Sequence, residues 1–407
     1  MLINRSTIVS ITAWLLLFLY ALNFNDMAII WLAMLLIPTF LLTEGKVAIT
    51  KDIVFLFLAT GLYFVFGNEL TLHACVRFVL GPALFFLFGY TYVKRDDCTI
   101  NEIMNCVYSL SFGFALQQFL TLMINFSTAA NRYIPDFWSG QIIQPTNFNS
   151  RGIITVAITY YVLCYEKRKL VKCVHVFFLG TVLLSSIMTA SRTNIYFAVL
   201  FFIIDFLVDV FVLNREKLNR LRTMVVQRRT FFTVLIIILA AVLIWFLYSE
   251  QIISWFNASA LMERQESDTA RFSLSNDPRW ERWVSTIKLL IENPMGNPEA
   301  DHAHNLILDV GRVSGIIPMI FMLICVILQI RRVIMCCGKK YDERIKVFSF
   351  SIASCILASF MIEPVLEGRP YIYIGSCMIM GIILAFSENH GKMEWKELEE
   401  YSFEIEQ

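Results

Sequence analysis

Long apolar stretches separated by short polar breaks recur along the whole 407-residue chain. Most come close to the roughly 20 residues that a helix needs to cross about 30 Å of hydrocarbon. They lack the two-residue alternation of membrane β-strands, so the pattern predicts an all-α, polytopic integral membrane protein with about 12 transmembrane helices. The predicted spans are Ile8–Leu22, Met27–Leu42, Ile53–Phe66, Val76–Val93, Ile103–Ile124, Gly152–Tyr165, Cys173–Met188, Asn194–Leu213, Phe231–Tyr248, His304–Ile330, Val347–Ile362 and Ile372–Phe386.

Composition agrees with this interpretation and excludes two other classes of protein. Hydrophobic residues make up 57% of the chain and charged residues only 16%, whereas soluble domains carry about a quarter charged residues. The formal net charge of +1 also excludes the strongly basic surface of a nucleic-acid-binding protein. Membrane lipids are therefore the expected surroundings, and nucleic acid is not an expected partner.

Polar breaks divide the chain into four regions. Residues 1–248 contain about nine predicted helices and a loop at 125–151, and residues 249–303 form a longer loop that is partly helical. Residues 304–386 contain about three helices, and residues 387–407 form a polar tail.

The basic residues predict how the chain is threaded through the membrane. An even number of spans puts both termini on one side, and that side carries 23 of the 34 Lys and Arg residues. By the positive-inside rule this side is the cytoplasm, so both loops lie outside. The outer basic residues are ten Arg and one Lys, against 11 Arg and 12 Lys inside. Because guanidinium suits phosphate and carboxylate, the asymmetry predicts an anion-binding outer face, although arginines also snorkel at membrane interfaces.

The most informative part of the longer loop lies within residues 276–318. The stretch Trp283–Glu292 predicts a short amphipathic helix, and Asn293-Pro294 ends it because proline disfavours helix at the preceding residue. Such a helix is expected to lie flat among the lipid headgroups. Its predicted apolar side comprises Trp283, Ile287, Leu290 and Ile291.

Three ionisable residues flank this predicted helix. Arg279 and Arg282 precede it, so their guanidinium groups are expected at the depth of lipid phosphates. His304 is predicted to open the next span. A histidine at such a boundary can change protonation near neutral pH and act as a general base, although a loop histidine more often only forms a hydrogen bond.

Common cofactor motifs are missing from the sequence. It contains no Walker A motif, no Gly-x-Gly-x-x-Gly, no Asp-x-Asp pair and no Cys-x-x-Cys. His302 and His304 form a single His-x-His pair, which is too little to indicate a zinc site. We therefore expect neither a metal nor a nucleotide cofactor.

Three separated segments carry a resemblance to a known family. TASRTNIYFAVL places Arg192 in a Ser/Thr-Arg turn between two spans. PRWERWVSTIKLLIENPMGN holds an Arg-x-x-x-Trp pattern at Arg279 and Trp283, and HAHNLILDVGRVSGIIP holds a His-Asn-x-x-Leu run at His304. In this order they resemble the O-antigen polymerase and O-antigen ligase superfamily of bacterial envelope glycosyltransferases. Weaker matches are QPTNFNSRGIITVA and EPVLEGRPYIY.

The resemblance implies an enzyme of the bacterial inner membrane that uses a glycan linked to undecaprenyl pyrophosphate. It implies that His304 is the general base and that Arg192 and Arg279 bind the pyrophosphate leaving group, without a metal. The second-choice pyrophosphate ligands are Arg282, Arg312, Arg369, Arg151 and Arg77.

Two of these assignments have competing interpretations. Glu363 and Glu367 are alternative bases or, instead, interfacial ion-pair partners of Arg369. Arg77 lies just inside a span, where it either binds lipid phosphate or pairs with Glu69.

Polymerase and ligase differ in the acceptor of the glycan. A polymerase transfers the growing chain to a new lipid-linked repeat unit, whereas a ligase transfers it to the lipid A-core. Two arginine-bearing outer loops could hold two lipid-linked pyrophosphates, which favours the polymerase. A protein that regulates chain length is then a further candidate partner. A transporter or flippase for a lipid-linked saccharide is the alternative from another class, although the two halves lack the internal repeat typical of transporters.

Overall fold

The structure is a computed structural model, and it describes residues 5–43, 49–67, 70–95, 98–129, 133–213, 278–338, 340–363, 365–368 and 370–388. Regular structure in these ranges is helical, apart from one isolated bridge between Pro135 and Ile142. The helices are α1 (Arg5–Leu22), α2 (Ala28–Met34), α3 (Leu36–Thr43), α4 (Lys51–Phe66), α5 (Leu72–Cys75), α6 (Gly81–Val93), α7 (Ile100–Ile124), α8 (Pro145–Ser150), α9 (Ile153–Ala157), α10 (Thr159–Tyr165), α11 (Lys169–Met188), α12 (Thr193–Val208), α13 (Pro278–Glu292), α14 (Leu306–Ser314), α15 (Ile316–Cys336), α16 (Glu343–Ile362), α17 (Val365–Gly368) and α18 (Pro370–Glu388).

Two π-helical segments extend these helices. Val76–Leu80 joins α5 to α6, and Asp209–Leu213 continues α12. Within the described ranges, seven helices are long and apolar enough to cross a membrane, as a polytopic membrane protein requires. They are Leu72–Val93, Ile100–Ile124, Lys169–Met188, Thr193–Leu213, Ile316–Cys336, Glu343–Ile362 and Pro370–Glu388.

Three predicted spans are interrupted in the structure. Met27–Leu42 is divided between α2 and α3, and Gly152–Tyr165 between α9 and α10. His304–Ile330 breaks at Gly315, whose φ of 89° favours glycine and ends α14 before α15 begins. The prediction that His304 opens a membrane span is therefore wrong, because residues 304–314 form a turn and a separate short helix. The predicted span Phe231–Tyr248 lies outside the described residues.

Helix α18, the last one in the described ranges, lies at the centre of the bundle. Its apolar window is 89% buried, against 28% for α15. A Cβ added at Gly381 would collide with the Phe86 carbonyl oxygen, and one at Gly89 would collide with the backbone of Met378. These two glycines let the backbones of α6 and α18 approach closely, as small residues do in membrane bundles.

Several chain turns meet at one end of the bundle, which we call the site end. There the turn at 189–192 joins α11 to α12, and Glu363 and the short helix α17 lie between α16 and α18. Helix α13 lies at the same end, because Arg279 near its start lies 3.9 Å from Glu363 at the end of α16. The Ile316 amide at the start of α15 also donates a hydrogen bond to the Pro294 carbonyl just after α13, 2.9 Å away.

Candidate active site

A buried glutamate joins two of the segments at the site end. Glu363 follows α16 directly and is only 2% exposed. Its Oε1 accepts a hydrogen bond of 3.0 Å from the Thr193 hydroxyl and lies 3.9 Å from Nη2 of Arg279. The carboxylate therefore links the start of α12 to the start of α13. Arg192 precedes Thr193 at the N-cap position of α12, so the structure brings the predicted Arg192 turn to this carboxylate.

Helix α13 begins earlier than the sequence predicts. It starts at Pro278, so Arg279 and Arg282 lie on the helix, one turn apart on neighbouring positions of its surface. It ends at Glu292, as predicted. The predicted apolar side is only partly buried, since Leu290 packs inside while Ile287 and Ile291 are exposed.

An exposed apolar stripe runs along α13 at helical spacing. The stripe consists of Trp280, Val284, Ile287 and Ile291 and continues in the exposed Met295, which follows the helix. Ile317 and Ile320 are exposed and lie in the first turns of α15. The neighbouring Ile316 amide is hydrogen-bonded to the Pro294 carbonyl just after α13. This continuity with a membrane-spanning helix supports the prediction that α13 lies at the membrane surface.

His304 is held in a left-handed backbone conformation with φ of 56°. The carboxylate of Asp309 accepts the Ala303 amide at 2.7 Å and the Asn305 amide at 3.1 Å, so it clamps the backbone on both sides of His304. Asn305 caps α14 by accepting from the Ile307 and Leu308 amides, and its side-chain NH2 donates to the Met361 carbonyl. A strained conformation held by so many contacts is typical of a functional site.

The guanidinium of Arg282 donates a hydrogen bond to Nε2 of His304. Because arginine cannot lose its proton, this contact makes Nε2 the acceptor and puts the imidazole proton on Nδ1. Nδ1 is buried and has no hydrogen-bond partner among the described residues, and the same is true of Nε1 of Trp283 on α13. The site therefore holds two unused donors beside its arginines.

Burial and nearby positive charge keep His304 neutral. Desolvation is the largest cause of a pKa lowered to about 4, followed by the Arg282 charge, while Glu363 opposes the shift and Arg279 adds to it. A base with so low a pKa is weak at neutral pH. An anion bound by the two arginines would offset their charge and draw Arg282 away from Nε2, so ligand binding would make His304 a better base.

Arg312 has a different environment from the one that the sequence led us to expect. It is 1% exposed, and its Nη1 donates to the carbonyls of Pro298 and Ala300 at 2.8 and 2.7 Å. Its guanidinium also lies 3.5 Å from Asp309 and 3.4 Å from His302. These contacts fix the loop ahead of His304, so they favour a structural role over the predicted binding of pyrophosphate.

Arg77 and Arg151 line a separate cavity of about 580 Å³ at the site end. Arg151 forms an ion pair of 2.9 Å with Asp136. Burial by itself would raise the pKa of Asp136, but the Arg151 charge and the amides of Ser139 and Trp138 lower it below its usual value. The cavity is therefore a second place where predicted arginines meet.

The other ionisable residues named from the sequence are Arg369, Glu69, Glu367 and Glu363. Arg369 and Glu69 lie outside the described residues, so the ion pairs proposed for them stay predictions. Glu367 is part of α17. Glu363 pairs with Arg279, a contact that was not expected. No three His, Cys, Asp or Glu side chains within the described ranges are placed to hold a metal ion.

Sequence reasoning missed Thr193, Asp309 and the indole of Trp283 as parts of the site. Asn305 is a typical helix N-cap residue, and Asp309 lies in the first turn of the helix that follows, where an acidic side chain is favoured by the helix dipole. This pattern was the local signal for Asp309. Comparison with models of known protein families gives no match, and comparison with curated protein sequences gives none either. The class of protein that the site suggests is therefore argued from its chemistry.

Proposed function

We propose that the chain is a metal-independent glycosyltransferase that uses a glycan carried on undecaprenyl pyrophosphate. The observation that carries the proposal is the meeting of Arg279, Arg282 and His304 with Glu363 and the Arg192 turn at one end of a membrane bundle. Fixed guanidinium groups beside a neutral histidine suit a reaction with an anionic leaving group and a hydroxyl nucleophile.

In the proposed reaction, the acceptor hydroxyl attacks the anomeric carbon of the glycan and the bond to pyrophosphate breaks. The pyrophosphate leaves with the electron pair and is stabilised by Arg279, Arg282 and Arg192, each worth roughly 100- to 1000-fold in rate. Arg282 moves from His304 to the phosphate oxygens, which frees Nε2 to accept the hydroxyl proton. The apolar stripe of α13 then offers a surface for the polyprenyl chain at the membrane boundary.

Among members of this class, we favour the O-antigen polymerase, located in the bacterial inner membrane. The proposed topology has 12 spans and both termini in the cytoplasm, which puts the site end in the periplasm. The separate cavity containing Arg77 and Arg151 supports two bound substrates, as a polymerase needs. The alternatives are an O-antigen ligase that transfers to lipid A-core and, from a different class, a lipid-linked saccharide transporter.

The proposal is tested by deleting the gene in the native host and separating its lipopolysaccharide on a gel. We expect single repeat units on the core and no ladder of longer chains. Bare core would indicate the ligase, and an unchanged ladder would contradict both assignments.

Complementing the deletion strain with single variants tests whether His304, and not a neighbouring residue of its loop, is the base. His304→Ala should lower chain extension by about 100- to 10,000-fold, the usual contribution of a general base. Asp301→Ala is the matched control, because Asp301 belongs to the same loop, is exposed and lies outside the Arg312 contacts described above; it should keep the ladder. Full extension by a folded His304→Ala protein would exclude His304 as the base.

A further inference from the structure

A cavity of about 580 Å³ at the site end takes no part in the bond-forming and bond-breaking step proposed above. Its walls come from the end of α1, the start of α2, α5 and the π-helical segment after it, the middle of α7, helix α8, Gly368 and residues 370–372. The volume is in the range of pockets that bind small organic ligands.

The lining combines charged, amide and phenolic groups. Arg77 and Arg151 contribute guanidinium groups, and Gln117, Gln141 and Asn147 contribute side-chain amides. Tyr20, Tyr371 and Phe114 add aromatic rings. Groups that both donate and accept hydrogen bonds, beside aromatic faces, match a molecule with many hydroxyls and apolar ring faces.

Two details indicate that the cavity is built for a ligand. Nη1 of Arg151 is buried and has no hydrogen-bond partner among the described residues, although Nη2 of the same side chain is paired with Asp136. Arg77 lies in the π-helical segment Val76–Leu80, and single π-turns within α-helices are frequent at functional sites. The local helix geometry thus sets the position of Arg77 in the cavity wall.

This cavity differs in charge from the catalytic cluster, by which we mean Arg279, Arg282, His304 and Glu363. Asp26 shares the lining with the two arginines, and Asp136 balances Arg151 from behind the wall. The cavity lining therefore carries little net charge, whereas the cluster holds two arginines, Arg279 and Arg282, near His304, and Glu363 lies 3.9 Å from Arg279. A pyrophosphate is better matched at the cluster, and a polar but weakly charged ligand is better matched in the cavity.

The cavity and the cluster also share structural elements. Gly368 of the wall lies five residues after Glu363, and an added Cβ there would meet Asn147 at 2.8 Å. Asn149 of α8 receives a hydrogen bond of 2.6 Å from Asn194, next to Thr193. A ligand in the cavity would therefore lie against the segments that hold the cluster.

We propose that this cavity is a saccharide-binding site that holds sugar rings of the acceptor. This assignment rests on the proposed function in one respect only, the identification of the bound saccharide as the acceptor. Arg77 and Arg151 bind the hydroxyl groups of the saccharide, or a single anionic group on it, from two sides. The aromatic rings pack against the faces of its sugar rings.

The test uses the purified full-length protein in detergent and calorimetric titration. The probe is the oligosaccharide fraction that mild acid releases from the surface polysaccharide of the native host. We expect saturable binding that Arg77→Gln weakens at least 10-fold. Gln141→Trp should also abolish it, because Gln141 is an exposed rim residue where a large ring would close the cavity without disturbing the core.

Three matched measurements make the outcome decisive. Lys288→Gln removes a basic residue of α13 outside the cavity and should leave binding unchanged. His304→Ala should bind the oligosaccharide normally even where chain extension is lost. Inorganic pyrophosphate should compete only weakly.

The opposite results would overturn the saccharide site. These are no binding by the wild-type protein, full binding by Arg77→Gln and Gln141→Trp, loss of binding in His304→Ala, or strong competition by pyrophosphate. The deletion strain can also keep an unchanged lipopolysaccharide ladder while the purified protein binds the oligosaccharide and the cavity variants abolish that binding. This combination would overturn the proposed function and leave the saccharide site in place.

Discussion

The protonation of His304 depends on the charges around it. Its pKa of about 4 lies below the usual value because of burial and the Arg282 charge, and a bound pyrophosphate would offset that charge. The neutral form is the active base, so activity falls as pH drops through the pKa. The acid limb of kcat/KM reports the pKa of His304 in the free enzyme and should lie near pH 4. The acid limb of kcat reports the same group in the enzyme–substrate complex and should lie at higher pH, because the bound pyrophosphate offsets the Arg282 charge. An extension assay with purified lipid-linked repeat units measures both, and coincident limbs would contradict activation by the substrate.

Glu363 acts as a positioning residue in this arrangement. Glu363→Gln keeps the size of the side chain and a hydrogen bond to Thr193 but removes the charge that faces Arg279. Because Arg279 is 42% exposed, the pair itself adds little to stability. A misplaced arginine can still cost about 100-fold in rate.

The substitution has a second readout that separates positioning from folding. Glu363 raises the pKa of His304, so its removal should lower that pKa further and shift the acid limb of kcat/KM to lower pH. Restoration by Glu363→Asp would show that the carboxylate itself matters. Wild-type activity in Glu363→Gln would exclude this role.

Single residues of the site could be predicted from the sequence, but the contacts between them could not. His304, Arg279 and Arg192 were predicted from short segments, and the structure brings His304 and Arg279 to the same cluster. The pairing of Arg279 with Glu363 could not be predicted, because it joins residues far apart in sequence through the packing of α13 on the bundle. The role of Arg312 depends on loop carbonyls, which carry no sequence signal.

Among the elements, helix α14 and the loop before it form a small unit around Arg312. Arg312→Gln would leave the Pro298 and Ala300 carbonyls without their charged donor, and hydrogen bonds to charged groups contribute about 1.5–3 kcal/mol each. We expect faster proteolysis within residues 298–303 while the membrane helices remain folded. Arg312→Lys should restore protection only in part, because an ammonium lacks the planar fork. Unchanged proteolysis in Arg312→Gln would show that the loop does not depend on this residue.

The contact between α6 and α18 depends on glycine at both surfaces. Gly381→Ala would push a methyl group into the Phe86 carbonyl, and such overpacking costs about 1–3 kcal/mol. The thermal unfolding midpoint in detergent should fall. Gly180→Ala on α11 is the matched control, since a Cβ there meets nothing within 4 Å. Equal midpoints for the two variants would contradict the close packing of these helices.

Helix existence was predictable from apolar periodicity, but two of the three interruptions were not. The apolar pattern continues through Leu35 and Ile158, so hydropathy does not mark those breaks, whereas Asp309 and Arg312 interrupt the apolar pattern ahead of Gly315. Gly315 ends α14 because the backbone must pass the Pro294 carbonyl with a positive φ, a tertiary requirement. Short helices at such breaks place His304 in a loop instead of a span.

For the whole molecule, the charge pattern and the position of the site make one common prediction about topology. The site end carries Ser285 on an exposed part of α13, whereas the exposed native cysteines Cys164 and Cys173 lie at the ends of α10 and α11 that face the other way. If the basic face is cytoplasmic, a membrane-impermeant maleimide should label Ser285→Cys in cells whose outer membrane has been opened. The native cysteines should react only after the inner membrane is permeabilised, and they serve as an internal control within the same chain. The reverse order of labelling would place the arginine-rich end in the cytoplasm, away from a flipped lipid-linked donor, and would exclude a periplasmic glycosyltransferase.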